Sequence, residues 1–104
     1  MNETYQLASE LKEAGFRQYG KGEEIDPDGN IYRRGAARAD RYVYLPTLEE
    51  LIEACGERLS ALDHVENDDG EMEWCASSTD NVRAYAPFPT EAVTRLYIAL
   101  NKKS

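Results

Sequence analysis

Apolar residues recur at helical spacing near both ends of the chain and alternate with polar ones between. Leu7, Ala8, Leu11 and Ala14 share one face of a helix expected from about residue 3 to residue 14. Asn2 can cap its first amides. Gly15 supplies the left-handed residue that ends it, and Phe16 falls where a Schellman turn folds an apolar residue back on Leu11. Leu48, Leu51, Ile52 and Cys55 make a second face, opened by the capping box Thr47-Leu48-Glu49-Glu50 and closed by Gly56. Val93, Leu96, Tyr97 and Leu100 make a third, with Thr90 read as its cap.

Strand signals fill the intervals. Asp26-Pro27-Asp28-Gly29 is a turn signal flanked by Ile25 and Ile31, which predicts a short hairpin. Tyr42-Val43-Tyr44-Leu45 has strand composition and stops at Pro46. Residues 59–66 and 71–77 are strands joined by the turn Asn67-Asp68-Asp69-Gly70. In the second of them Met72, Trp74 and Ala76 are expected inward, with Glu71, Glu73 and Cys75 outward. Residues 78–81 are polar and turn again, and residues 82–86 alternate once more. The order is α-(ββ)-β-α-β-β-β-α. Strands joined by short turns pair antiparallel. The expected fold is therefore α+β, an antiparallel sheet of three or four strands with helices packed on one face. A length of 104 residues fits one domain, with a flexible loop around 33–41 where Gly35-Ala36-Ala37 breaks all periodicity.

Charge changes the picture more than composition does. Twenty acids face twelve bases, for a net charge of −8. That sign opposes a general role on nucleic acid or anionic membranes, which call for a basic surface. No apolar run is long enough to span a membrane, and the first residues lack a basic start followed by an apolar block. The expected setting is cytoplasmic.

Candidate chemistry is sparse. Cys55 and Cys75 form no CxxC pair, and His64 is the one histidine, so a four-ligand zinc site cannot close within the chain. The expectation is two reduced, non-catalytic thiols and no cofactor. No GxSxG, P-loop, GxGxxG or HExxH occurs, so no catalytic residue is assigned. Glu24, Asp26, Asp28 and Gly29 resemble the start of a calcium loop, but Gly35 stands where the bidentate Glu belongs. A hairpin turn with an acidic rim explains the same residues.

Two stretches remain as binding candidates. Residues 31–44 carry Arg33, Arg34, Arg38 and Arg41 against Asp40, with Tyr32, Tyr42 and Tyr44 interleaved. Arginine beside aromatic rings suits protein hot spots and single-stranded nucleic acid alike. Residues 47–80 hold eleven acids, among them Glu66, Asp68, Asp69, Glu71 and Glu73, against Arg58 alone. Such density is either a solvated face or a docking surface for a basic protein, including imitation of a phosphate backbone.

Residues 45–56, LPTLEELIEACG, and 89–100, PTEAVTRLYIAL, resemble parts of small uncharacterised phage and prophage proteins. The resemblance covers 42–101 and extends to the layout of helix, tryptophan-bearing strand pair and helix. It implies a bacterial or phage-infected cytoplasm and carries over no activity. The reading reached is a non-catalytic acidic protein that binds a basic protein partner, with inhibition of a host nucleic-acid-handling or defence complex as its concrete form. The alternatives are a small enzyme or metal-binding protein using acidic residues, and a nucleic-acid binder through the Arg/Tyr loop.

Overall fold

The computed structural model describes residues 2–33 and 42–101. The expected loop around 33–41 lies outside them except for Arg33. The chain forms two compact units, Met1–Thr47 and Leu48–Ser104. The fold is α+β in the expected order, and its strands fall into two three-stranded antiparallel sheets.

The first unit holds α1 (Glu3–Glu13), β1 (Glu23–Ile25), β2 (Ile31–Tyr32) and β3 (Val43–Leu45), with β1 in the centre of its sheet. Asn2 caps α1: its Oδ1 accepts the Tyr5 amide at 3.0 Å. At the other end Gly15 has φ 98°, and the amides of Gly15 and Phe16 donate to Lys12 and Leu11 carbonyls, which completes the Schellman motif. Phe16 and Leu11 are both buried. Ala8, Ile25 and Val43 form the core, with Tyr5 and Leu45 against it. Gly22 is required by a close approach: its amide donates to the Tyr44 hydroxyl at 2.7 Å, and an added Cβ would strike the Leu45 carbonyl.

The second unit runs α2 (Leu48–Cys55), a 3-10 turn at Gly56–Arg58, β4 (Leu59–Glu66), β5 (Met72–Ser78), β6 (Arg83–Ala86) and α3 (Pro89–Asn101). The central strand β5 lies between β4 and β6. Helix α3 packs on β5, β6 and α2 and buries Ala92, Val93 and Leu96 completely. The small side chains of Ala76 and Ala86, also fully covered, let it approach closely. Arg58 donates to the Leu100 carbonyl at 2.9 Å, satisfying a group in the last turn of α3. The last helix begins one residue before the expected cap. Pro89 occupies the first helical position, where its missing N–H costs nothing, and the Phe88 carbonyl accepts the first helical bond from Ala92.

Three hairpins share one five-residue turn. In residues 26–30, 67–71 and 78–82 the first amide donates to the fifth carbonyl, and the fourth amide donates to the first carbonyl. The first side chain accepts from the third and fifth amides in each: Asp26 from Asp28 and Asn30, Asn67 from Asp69 and Glu71, Ser78 from Asp80 and Val82. The fourth residue is left-handed in all three, Gly29 at φ 91°, Gly70 at 82° and Asn81 at 67°. This is a type I turn with a glycine-type bulge, and Asn is the usual substitute for Gly there.

The inward series expected on β5 holds only in part. Ala76 is fully buried, Trp74 half-buried and Met72 53% exposed. The reason is length: β6 pairs only with Trp74–Ser77, so β4 and β5 continue past it as a two-stranded ribbon. Cys75, expected outward, is 7% exposed. It stands on the central strand, flanked by Asp63 on β4 and Tyr85 on β6, and its Sγ lies 3.6 Å from Ser77 Oγ.

Candidate acidic ribbon

The turn fixes everything in the ribbon. Asn67 opposite Glu71 sets Glu66 against Met72, Val65 against Glu73 and His64 against Trp74. Side chains alternate across the sheet. Leu62, His64, Glu66, Met72 and Trp74 therefore share the face that α3 covers further along, while Asp63, Val65, Glu73 and Cys75 share the other. Glu66, Asp68, Asp69 and Glu71 are exposed and Glu73 is half-buried. Among the described residues none of these five carboxylates forms an ion pair. The acids predicted as a partner surface are thus held together on one projecting element, and among the described residues no cation pairs with them.

Sequence reasoning missed the apolar half of this surface. Met72 stands open beside Glu66, and the His64 and Trp74 rings stack at 4.5 Å with 14° between their planes. The missed signal was arithmetic: counting back from the turn pairs His64 with Trp74. A large aromatic and a methionine rimmed by charge is a composition found in protein interfaces.

The Arg/Tyr candidates belong to the other unit. Arg34, Arg38 and Arg41 lie outside the described residues, and Arg33 is exposed. Tyr42 packs its ring on Tyr32 at 5.0 Å, and the Tyr32 hydroxyl donates to Asp26 Oδ2 at 3.1 Å. Hydrogen bonding with Tyr42, then with Asp26, then desolvation push the Tyr32 phenol up to about 12. These two rings are tied into the turn of the β1–β2 hairpin and to each other. Stacking on an extended nucleic acid strand would need their faces released.

The calcium reading meets the same turn. Asp26 is 2% exposed. Its two oxygens already accept from the amides of Asp28 and Asn30, from Asn30 Nδ2 at 3.2 Å and from Tyr32. Desolvation pushes its carboxyl up, and these bonds together outweigh it and hold the group below its ordinary value. A carboxylate so occupied serves the hairpin. Among the described residues no group of three or more His, Cys, Asp or Glu side chains is placed to hold a metal ion. Cys55 and Cys75 are both free and buried. Burial pushes the Cys55 thiol up, against the opposing pull of Arg58, which suits a packed side chain better than a nucleophile. Among the described residues no helix is long and apolar enough to cross a membrane.

Comparison with protein families, curated proteins and solved structures returns no match to this chain.

Proposed function

We propose that the chain is a non-catalytic binding protein whose β4–β5 ribbon docks on a basic surface of another protein. One observation carries this reading: the ribbon runs past the end of β6, and its turn holds Glu66, Asp68, Asp69, Glu71 and Glu73 around an open Met72. A solubility surface needs charge but not a braced projection bearing an exposed apolar side chain. Carboxylates spaced along a ribbon meet Lys and Arg side chains as a phosphate backbone does. A protein that handles nucleic acid, or a defence complex built on one, is the class of partner so presented. The phage-like setting implied by residues 42–101 agrees with an inhibitor of that kind.

The test compares the wild-type chain with the combined variant Glu66→Lys, Asp68→Lys, Asp69→Lys, Glu73→Lys, each immobilised and exposed to a bacterial lysate. A captured partner is then purified and its association timed at several salt concentrations. Association with the wild type should slow as salt rises, since exposed charges are screened beyond about 8 Å at physiological ionic strength. The variant, shown folded by its near-ultraviolet dichroism, should associate about tenfold more slowly or worse. An on-rate indifferent to both salt and charge reversal would leave the ribbon a solubility feature.

A further inference from the structure

The parity of the β4–β5 ladder exposes a second feature. The Asn67 amide bonds Glu71 across the ribbon, so alternate residues Val65, Asp63 and Ala61 face β5 with their backbone groups. The main-chain N–H and C=O groups of Leu62, His64 and Glu66 point to the opposite side. The other half of the sheet confirms the phase. Ser78 bonds Val82, so Ser78, Ala76 and Trp74 turn their backbone groups towards β6. Among the described residues no strand pairs with β4 on its far side, and nothing bonds the outward groups of Leu62, His64 and Glu66.

Open edges are normally blunted by shortness, proline, lysine or a bulge. Strand β6 conforms: it has four residues and meets Pro87. Strand β4 has eight, and its irregularity lies at the far end, between Leu59 and Ala61. From Ala61 to Glu66 the register is unbroken and contains neither proline nor lysine. Its charges are acidic and sit on both faces, Asp63 on one and Glu66 on the other. A second copy is the poorer occupant, because each chain carries −8 and β4–β4 pairing brings two acidic strands and two acidic ribbons together.

Resting on the ribbon reading above, we propose that the open edge of β4 takes up an extended basic segment of the partner as an added antiparallel strand. The partner's main chain bonds Leu62, His64 and Glu66, and Lys or Arg side chains on its two faces meet Glu66 and Asp63. Main-chain bonds supply the affinity in such strand addition, and flanking side chains supply the selectivity.

The experiment uses the full chain and a short capped peptide of alternating Lys and Val, followed by amide hydrogen exchange. Binding should slow exchange at Leu62, His64 and Glu66 about tenfold or more, the response of amides entering a ladder. The same peptide N-methylated on its β4-facing amides should give no slowing, and this arm leaves the protein untouched. His64→Pro should also abolish it, since that N–H faces outward and its loss removes no bond to β5. Peptide binding that leaves these three amides unprotected would overturn the edge proposal, and so would absence of binding. Protection that appears without peptide and grows with protein concentration would assign the edge to a second copy. The ribbon reading fails separately: its sign would be unchanged partner association in the four-lysine variant while the edge amides remain protectable.

Discussion

The ribbon tip is the part of the second sheet with least support, and Asn67 is its brace. Asn67→Ala removes the acceptor of the Asp69 amide at 2.9 Å and of the Glu71 amide at 3.0 Å. Each such bond contributes about 0.5–1.5 kcal/mol net. Both amides belong to exposed residues, so water replaces the lost acceptor and the sum lies at the low end, about 1 kcal/mol. Opening of the tip should therefore become about fivefold more frequent, the factor that 1 kcal/mol represents. Native-state hydrogen exchange at Asp69 and Glu71 reads it directly. Amides in the β5–β6 ladder serve as the internal control and should not change. Asn67→Asp keeps the acceptor and should restore the protection. Unchanged exchange at Asp69 and Glu71 would show that the backbone turn alone holds the tip. Equal acceleration across the sheet would show that the change is global. Ser78→Ala provides the contrast, because the same two-bond geometry there is built on a residue 3% exposed. Its cost should be larger, about 1–3 kcal/mol, and visible in the denaturant midpoint.

Two further outcomes follow from the first unit. Gly22→Ala drives a methyl group into the Leu45 carbonyl and should lower stability by about 1–3 kcal/mol, the range for overpacking, with the midpoint of urea unfolding as the measure; an unchanged midpoint would mean that residues 20–22 shift at no cost. Asp26 has its carboxyl held below the ordinary value, so its contribution is present above about pH 3.8 and is lost as pH falls through the lower folded value; the stability gap between wild type and Asp26→Asn should narrow on acidification, and a gap constant from neutral pH to about pH 2 would refute the sign.

What could be read from the sequence was whatever depends on neighbours within a few residues. The caps at Asn2 and Gly15 placed α1 closely, because a capping bond and a left-handed stop are local events. Two of the three hairpin turns were legible through Gly29 and Gly70. The third was legible as a turn only from the polar run of residues 78–81, since Asn81 does the work of a glycine there and announces itself less. Features set by distance along the chain were not legible. Alternation on β5 identified which residues share a face, but the covering of Met72 depends on where β6 stops. The Tyr32–Tyr42 contact joins residues that flank the same central strand from opposite sides, a consequence of the order β2-β1-β3 that no local pattern encodes.

The acid density of residues 47–80 was plain from counting, yet counting could not tell a solvated surface from an organised one. The distinction rests on register. A one-residue slip of β4 on β5 would exchange the faces of Glu66 and Asp63 and turn the outward main-chain groups of Leu62, His64 and Glu66 towards β5. The Asn67–Gly70 turn forbids that slip, because its left-handed fourth residue and its side-chain acceptor each fit one register only. The same four residues thus set both candidate surfaces, the ribbon tip and the open edge. They are the place where a single substitution would disturb both at once, while substitutions further out, such as His64→Pro or charge reversal at Glu73, separate one from the other.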